Sequence, residues 1–381
     1  MKTYNVGIIG YGGFGEFLKN SWEKLDNVKV TAVADQVADR NPGGGIKFYN
    51  RWQDLLEDGQ VDIVSVATPP KSHADIGCAA MEAGKCVLIE KPMATTLDDA
   101  RRIIETRDRT GVAASVDYML RFNPICEMLA IFGRENVLGQ LRHVNVENYA
   151  QDEGLPASHW FWDSDMSGGI LIEHAVHFID LVHSLTEQRH VHVTGFCHKR
   201  NDKQEDQVLA CAHYDGGLIA THYHWFARPG FFEDTSIRFN YDLGQIDLEG
   251  WIPLAGTVSA MVNSQTKERL MELPGLKGNH ICSVDEVKDM SRPEGWGNIN
   301  TTGSKQKVRC GGIEYDVEAV VEDRFEIGKS KQQVYSDCLR GILNDLICKI
   351  ENPDYQMRVR LEEGLSSLEV AWLATEFGRS N

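Results

Sequence analysis

Within the first 120 residues, short runs of apolar, mostly β-branched residues alternate with stretches in which apolar residues recur at helical spacing. Thr96, three residues before Asp99, is typical of a capped helix start. Strands that alternate with helices through short connections predict a parallel sheet with right-handed crossovers. The first helical stripe consists of Phe14, Phe17, Leu18, Trp22 and Leu25. The predicted strands span residues 6–9, 28–34, 61–67, 86–89 and 112–118.

The pattern changes after about residue 122, where the predicted strands become longer and follow one another directly. Asp215-Gly216-Gly217 separates two of them and is typical of a hairpin turn, and Leu243-Gly244 is a weaker signal of the same kind. Consecutive strands with tight turns predict an antiparallel sheet, which one helix at about 169–185 interrupts. The predicted strands span residues 141–150, 191–198, 207–214, 218–226, 235–241 and 245–248.

The remaining segments complete a two-domain prediction. Residues 262–330 are polar and irregular, and their pattern does not assign elements to them, whereas 335–377 predict two helices. We therefore expect a parallel α/β domain over 1–122 and an α+β domain over 123–381. Because no Ser/Gly-rich linker separates them, the two domains are expected to be packed together rather than tethered.

Composition and charge narrow the class of protein. The chain has 381 residues, enough for two domains that each bury a core. Its net charge is −17 without a cluster of Lys or Arg, which argues against nucleic acid and against an anionic membrane surface as partners. No apolar run approaches the ~18 residues of a membrane helix, and no secretory signal is visible, so we expect a cytoplasmic protein. Nine cysteines without a CxxC pair predict reduced thiols rather than zinc fingers or disulfides.

A glycine-rich hexad follows the first predicted strand and opens the first predicted helix. Asp35 stands twenty residues beyond the hexad, at the end of the second strand, and this context favours a dinucleotide site over a tight turn without a ligand. A carboxylate there would bind ribose hydroxyls and repel a 2′-phosphate, so we predict NAD, with NADP less favoured; Arg40 nearby could soften that choice. The hexad comprises Gly10, Tyr11, Gly12, Gly13, Phe14 and Gly15.

A second candidate cofactor element follows the strand at 61–67. The segment Thr68-Pro69-Pro70, with His73 three residues later, is forced into an extended turn by its prolines. Turns at the carboxyl ends of parallel strands lie in the ligand crevice of such sheets. A plain rigid loop without a ligand explains this segment equally well.

Four segments together resemble the Gfo/Idh/MocA oxidoreductases, the family of glucose–fructose oxidoreductase and inositol dehydrogenase. Glu90-Lys91-Pro92 follows the strand at 86–89, and Arg121-Phe122-Asn123-Pro124 follows the strand at 112–118; both occur with the hexad and the Thr68–His73 segment. The stretch 168–180 resembles the substrate-site helix of the family, which usually reads GG-x-x-x-D-x-x-x-H-x-x-D. This chain differs in having Glu173 in place of the aspartate and a second histidine, His174.

The resemblance implies a fold and an assembly. It implies an NAD(P)-binding Rossmann domain followed by an α/β domain with a large open antiparallel sheet, in agreement with the strands read from 141–248. It also implies that the C-terminal helices, at about 335–381, pack back on the first domain. The open sheet often forms the oligomer interface in this family, so a homo-oligomer, dimer or tetramer, is expected.

Oxidation of an alcohol by nicotinamide needs a base for the hydroxyl proton and a donor near the developing oxyanion. The resemblance implies that His177 is the general acid/base and that Lys91 binds the reacting oxygen and helps to place the nicotinamide. Glu90, next to Lys91, is a further candidate residue of the cofactor site. Glu173 and His177 are four residues apart on one helix face, so Glu173 either orients the imidazole, binds a substrate hydroxyl, or forms an ordinary surface pair. Asp180 is either a second residue that orients His177 or an ordinary polar residue.

Other residues are weaker candidates for the substrate site. Trp160 and Trp162 either stack on a sugar face or fill the core, and Arg121 either contacts substrate or cofactor or anchors the domain junction. Histidines at metal-like spacing, among them His222 and His224, have no evident further ligands, so no metal is predicted.

These observations lead to one preferred function and two alternatives. The preferred function is an NAD-dependent oxidoreductase acting on a secondary hydroxyl of a sugar, cyclitol or related polyol, and the choice of polyols comes from the resemblance alone. The alternatives are an NAD-recycling glycosidase that oxidises its substrate transiently and a non-catalytic NAD-binding regulator. Intact Lys91, Glu173 and His177 argue against the regulator, which has no need of an acid/base set.

Overall fold

The structure is a computed structural model and describes residues 2–283 and 306–380. Within these residues the first half forms a parallel sheet of six strands in the order β3-β2-β1-β4-β5-β6. The strands are β1 Tyr4–Ile9, β2 Val28–Ala34, β3 Lys47–Tyr49, β4 Ile63–Val66, β5 Cys86–Ile89 and β6 Ala114–Val116. The helices between and after them are α1 Gly13–Trp22, α2 Trp52–Leu56, α3 His73–Glu82, α4 Leu97–Thr110 and α5 Pro124–Glu135.

The parallel sheet confirms the prediction for the first half. Each predicted strand is present, with β4 and β6 shorter than the sequence indicated, and β3 is an addition at the sheet edge. The Thr96 side chain accepts a hydrogen bond from Asp99 N at 3.2 Å, as the capping pattern predicted. The carboxyl ends of β1, β4, β5 and β6 lie along one edge of the sheet, where open α/β sheets bind their ligands.

The second half forms a nine-stranded sheet within the described residues, in the order β14-β17-β13-β12-β11-β7-β10-β9-β8. All neighbouring strands of this sheet are antiparallel to each other except β7 and β10, which are parallel. The β8–β9 hairpin lies between β7 and β10 in the chain, but in the sheet it pairs with β10 on the side away from β7. The strands are β7 Leu141–Ala150, β8 His190–Asn201, β9 Gln204–Tyr214, β10 Ile219–Phe226, β11 Asp234–Tyr241, β12 Gly244–Glu249, β13 Ala255–Val262, β14 Ile281–Ser283 and β17 Ala319–Glu326. The strands β15 Gln306–Cys310 and β16 Ile313–Val317 form a separate hairpin.

Both hairpin signals are confirmed, since Asp215-Gly216-Gly217 joins β9 to β10 and Leu243-Gly244 lies between β11 and β12. Residues 262–330, which the sequence pattern left unassigned, contain in their described part a short helix and four strands, β14 to β17. The rest of that segment, 284–305, lies outside the described residues. The helices of the second half are α6 Ser164–Ser167, α7 Val176–Ser184, α8 Ser264–Leu270, α9 Lys331–Glu351 and α10 Leu361–Ser380.

One face of the large sheet is buried and the other is half-exposed, because side chains alternate along each strand. The buried face of β10 carries His222 and His224, and helix α7 lies over it. Helix α9 lies against α1, where Trp22 Nε1 donates to Leu339 O at 2.9 Å. None of the described helices is long and apolar enough to cross a bilayer.

Candidate active site

The glycine hexad forms the turn between β1 and α1. Gly10 has φ +94°, and a Cβ there would lie 2.4 Å from Ala67 O, while a Cβ on Gly15 would lie 2.3 Å from Gly10 O. Both positions therefore require glycine. Gly12 is the N-cap of α1 and supplies no side-chain cap, which leaves the first backbone N–H groups of the helix free to bind an anion such as a pyrophosphate.

Asp35 lies beside this turn at the end of β2. Its Oδ2 accepts hydrogen bonds from Tyr11 N at 2.8 Å and from the Arg40 guanidinium at 2.9 Å, and its Oδ1 accepts one from Val37 N at 2.8 Å. The Asp35 side chain is 6% exposed, so its carboxylate is fixed next to the place where a ribose would follow the phosphates. An uncapped helix start, two obligatory glycines and a fixed carboxylate fit a dinucleotide.

The turns after β4 and β5 are tied together by His73. Its Nδ1 lies 2.7 Å from Pro92 O and its Nε2 lies 2.7 Å from Thr68 O. Burial lowers the pKa of His73, and the two carbonyl acceptors oppose that shift. His73 is 1% exposed and does not line the cavity described next. The structure therefore places this predicted cofactor residue behind the two turns, where its two contacts hold them together. Pro69 does not line the cavity either.

A cavity of about 280 Å³ lies between the carboxyl ends of β4, β5 and β6 and the helix that carries His177. It is near the lower limit of small-molecule sites in size. Its described lining residues are Phe14, Ala67, Thr68, Pro70, Glu90, Lys91, Asp117, Met119, Trp160, Glu173, His174, His177, Trp251 and Tyr335.

Lys91 and Glu173 form an ion pair in this cavity. The Lys91 ammonium donates to Glu173 Oε1 at 2.7 Å and to the Glu173 carbonyl at 2.8 Å, and the two side chains are only 14% and 12% exposed. Burial alone would raise the pKa of Glu173, but the Lys91 charge and weaker neighbours hold it below its usual value. The carboxylate therefore stays ionised and holds the ammonium over the cavity. Glu173 contacts Lys91 rather than the imidazole of His177.

A π-helical turn, Leu171–Ala175, precedes α7 and sets the direction of the site histidines. Its i→i+5 pattern adds a residue to one turn of the helix, so Glu173, His174 and His177 all face the cavity. Burial, followed by the Lys91 charge, holds the pKa of His177 well below its ordinary value. His177 is therefore neutral near pH 7 and able to accept a proton.

Two carboxyl groups, Glu90 and Asp117, lie together at the ends of β5 and β6. Burial raises the pKa of Asp117 to about 6, and burial together with the Asp117 charge raises that of Glu90 well above its usual value. Two neighbouring carboxylates in a buried site disfavour each other's ionisation, so one of them keeps a proton near neutral pH. The sequence reading placed Glu90 in the cofactor site but missed Asp117.

The remaining predicted substrate residues separate into two groups. Trp160 lines the cavity, whereas Trp162 is buried, donates from Nε1 to Leu155 O at 2.9 Å and has the Arg200 guanidinium over its ring. The guanidinium of Arg121 makes two hydrogen bonds to the Asp180 carboxylate, at 2.7 and 2.8 Å, and does not line the cavity. This contact favours the anchoring interpretation of Arg121 and engages Asp180 away from His177.

The sequence reading missed the aromatic wall of the cavity. The rings of Trp251 and Tyr335 lie 5.2 Å apart, and Trp251 lies 6.4 Å from the ring of His177. Trp251 follows β12 and Tyr335 lies on α9, so no local spacing connects them. Among the described residues, no group of three or more His, Cys, Asp or Glu side chains is arranged to hold a metal ion.

Comparison with known proteins extends over both halves of the chain. The family model described as "Oxidoreductase family, NAD-binding Rossmann fold" matches residues 4–118, and the model described as "GFO/IDH/MocA C-terminal domain" matches residues 132–246. The rhizopine catabolism protein MocA of Rhizobium meliloti is 31% identical over 49% of this chain and 59% of its own length. An inositol 2-dehydrogenase of Salmonella typhimurium is 33% identical over 32% of this chain and 38% of its own length.

Solved structures match the whole fold. An oxidoreductase domain protein from Kribbella flavida superposes with a TM-score of 0.74 at 18% identity, over 100% of this chain and 98% of that one. A putative myo-inositol dehydrogenase from Sinorhizobium meliloti gives 0.69 at 17% identity, over 99% and 98%. These identities support the fold alone, and the curated relatives are matched over only part of their lengths. The two family models nevertheless cover most of the chain between them and confirm the resemblance read from the sequence: the chain belongs to the Gfo/Idh/MocA family of oxidoreductases.

Proposed function

We propose that this chain is an NAD-dependent dehydrogenase that acts on a secondary hydroxyl of a sugar, cyclitol or related polyol. The observation that carries the proposal is one cavity, beside the glycine turn, that holds a neutral imidazole and an ammonium fixed by a carboxylate. These groups belong to His177, Lys91 and Glu173.

Each of these groups has a separate task. His177 accepts the hydroxyl proton as the substrate is oxidised, and in the reverse direction it returns that proton. Lys91 donates to the same oxygen and stabilises the negative charge that develops on it. Glu173 keeps the ammonium in place through its 2.7 Å contact. The nicotinamide, when bound, takes up the two electrons and the hydrogen from the substrate carbon.

The lining of the cavity supports a polyol as the substrate. Trp160, Trp251 and Tyr335 offer flat apolar surfaces of the kind that pack on the C–H face of a sugar ring. Polar side chains lie across the same cavity and can bind several hydroxyls at once. The names of the relatives, inositol 2-dehydrogenase and levoglucosan dehydrogenase, agree with this class of substrate.

Asp35 supports NAD as the cofactor. A fixed carboxylate at the end of β2 accepts hydrogen bonds from the ribose hydroxyls and repels a 2′-phosphate. Arg40 contacts the same carboxylate from outside and is itself half-exposed. Because this guanidinium is already paired with Asp35, it is less free to bind a phosphate.

The half-exposed face of the large sheet supports a homo-oligomer. It carries a cluster of aromatic side chains, in which the ring of Tyr149 lies 5.7 Å from Tyr223 and 6.2 Å from Trp225. We propose that a second copy covers this face, as a dimer or tetramer. Light scattering of the purified protein tests this, and a monomer at micromolar concentration would refute it.

The direct test of the catalytic proposal is absorbance at 340 nm, with purified protein and NAD against a panel of sugars, sugar acids and inositols. We expect NADH to form with at least one of them. Lys91→Met and His177→Ala should abolish turnover while the Kd for NAD stays within a few fold of the wild type. Lys199→Met, on the exposed part of β8, is the matched control and should leave turnover unchanged. Full activity in both site variants would refute the mechanism.

A second function is favoured by the Glu90–Asp117 pair. A proton held between two carboxyl groups in the cavity could be given to a leaving group, as an NAD-recycling glycosidase requires. Such an enzyme would cleave a glycoside without net formation of NADH. Calorimetry that shows NAD binding, with neither NADH nor glycoside cleavage, would instead favour a regulator.

A further inference from the structure

A row of histidines leads away from the cavity along the buried face of the large sheet. His174 lines the cavity, and its ring lies 5.5 Å from the ring of His224 on β10. His222 is two residues earlier on the same face of that strand, so the two backbone positions are about 6.6 Å apart. Both His222 and His224 are 0% exposed.

The row continues from β10 to the surface through His183 on α7. Burial, followed by the charges of His190, Arg121 and His222, lowers the pKa of His183 to about 3. Its ring nitrogens contact two hydroxyl groups, Nε2 that of Tyr214 at 3.0 Å and Nδ1 that of Ser366 at 3.3 Å. The rings of His183 and His190 lie 6.5 Å apart and stack nearly parallel. His190 Nε2 lies 3.6 Å from the carboxylate of Glu369, which is 40% exposed.

The inner part of the row is short of hydrogen-bond partners. Both ring nitrogens of His222 and of His224 are buried without a partner, and so is Nε2 of His174. Each buried polar atom of this kind costs free energy of folding if it stays unpaired. Native proteins usually satisfy such atoms with ordered water, which needs two or more polar neighbours. Apolar side chains would pack on this face without that cost, so the histidines call for a functional reason.

We propose that the row His174, His224, His222, His183 and His190 conducts the proton released by alcohol oxidation from the cavity to the surface at Glu369, with ordered water between the rings. The inference rests on the proposed dehydrogenase function. Oxidation of the alcohol gives a ketone, NADH and one proton, and this proton must leave a site from which cofactor and substrate exclude bulk water.

The transfer is balanced at every ring. The O–H bond of the substrate breaks and an N–H bond forms on His177, whose buried Nδ1 has no partner and whose neighbours include His174. Each following imidazole takes a proton on one nitrogen and releases one from the other. At His183 the hydroxyls of Tyr214 and Ser366 take part, each accepting one proton as it gives up its own. The last proton passes to a buffer base outside. Burial keeps the inner rings neutral, so each has one donor and one acceptor nitrogen, as a relay requires.

His224→Ala tests the relay by opening a space of imidazole size in the row. In a single turnover observed with a pH indicator, the wild type should release its proton together with NADH. In the variant, proton release should lag behind NADH and kcat should fall at least tenfold, and added imidazole should restore both. His213→Ala, an exposed histidine of β9, is the matched control and should behave as the wild type. Proton release that keeps pace with NADH in His224→Ala would overturn the proposal.

A crystal structure of the wild type at about 1.5 Å resolution provides a test that does not depend on turnover or on the folding of a variant. Ordered water bridging the ring nitrogens of His174, His224 and His222 is expected. If no ordered water lies between these ring nitrogens, the relay is overturned even if the enzyme is active. If the wild type oxidises no substrate of the panel, the proposed function fails instead, and a hydrated row does not rescue it.

Discussion

Replacing Arg121 by methionine separates an anchoring role from a substrate contact. Arg121 is 13% exposed and its guanidinium binds both oxygens of Asp180, which is 0% exposed, while a third donor reaches Arg358 O at 3.0 Å. Arg121→Met leaves the carboxylate buried without its cation. Two charges 4 Å apart attract by about 4 kcal/mol at an effective dielectric constant of 20, and breaking a buried pair typically costs ~3–5 kcal/mol.

The assay is equilibrium unfolding in urea, observed by tryptophan fluorescence. Arg121→Met should lower the free energy of unfolding by ~3–5 kcal/mol, and the double variant Arg121→Met, Asp180→Leu should recover most of that loss because no buried charge remains. The control is Arg101→Met, whose 3.0 Å pair with Asp98 is exposed, and it should cost less than about 1 kcal/mol.

Function provides the second half of this test. Since Arg121 does not line the cavity, the Kd for NAD and the KM for the substrate should stay within a few fold of the wild type in the stable double variant. A loss of stability below about 1 kcal/mol in Arg121→Met, combined with a tenfold rise in KM, would refute the anchoring role.

Three further predictions concern the cofactor turn and the base. Asp35→Asn should weaken NAD binding about tenfold, or ~1.4 kcal/mol, and improve NADP binding by calorimetry, whereas Asp98→Asn, an exposed carboxylate on α4, should change neither. Because burial and then Lys91 lower the pKa of His177, kcat/KM for oxidation should show no loss due to His177 near pH 6.5 as pH falls. The pKa of Asp117 is about 6, so the profile is compared with that of Asp117→Asn, and an acidic limb near pH 6.5 that persists in this variant would contradict a neutral base. Gly15→Ala, whose Cβ would meet Gly10 O at 2.3 Å, should destabilise the protein by ~1–3 kcal/mol in thermal unfolding, and Gly13→Ala, with no atom within 4 Å, should not.

The parts of the fold that could be predicted are those in which local chemistry decides the structure. Gly15, Thr96 and the Asp215-Gly216-Gly217 turn each act through neighbours within about five residues. Helix α5 was missed, although Asn123 accepts hydrogen bonds from Ile125 N and Cys126 N and Pro124 opens the helix. Asn123 followed by Pro124 is a common helix start, with a capping side chain and a proline in the first turn. In the sequence analysis these two residues served only as part of a family motif.

Strands β13 to β17 were missed for a different reason. β13 alternates small and apolar residues, and β17 pairs with it from more than 50 residues away. Pairing at that separation depends on the sheet already formed by β7 to β12, since a polar strand such as β17 gains its stability from the strands beside it rather than from its own sequence. No periodic pattern of apolar residues in the segment 262–330 indicates which strand β17 pairs with.

The site shows the same limit within a single helix. An α-helical reading of 168–180 puts His174 about 100° around the axis from Glu173 and leaves it without a role. The π-helical turn Leu171–Ala175 adds one residue to that turn, which brings His174 to the cavity and beside His224. Such a turn gives up regular hydrogen bonds of the helix, and it recurs at functional sites for that reason. The second histidine and the π-helical turn therefore belong together, because the backbone irregularity joins the candidate active-site cavity to the buried histidines of β10.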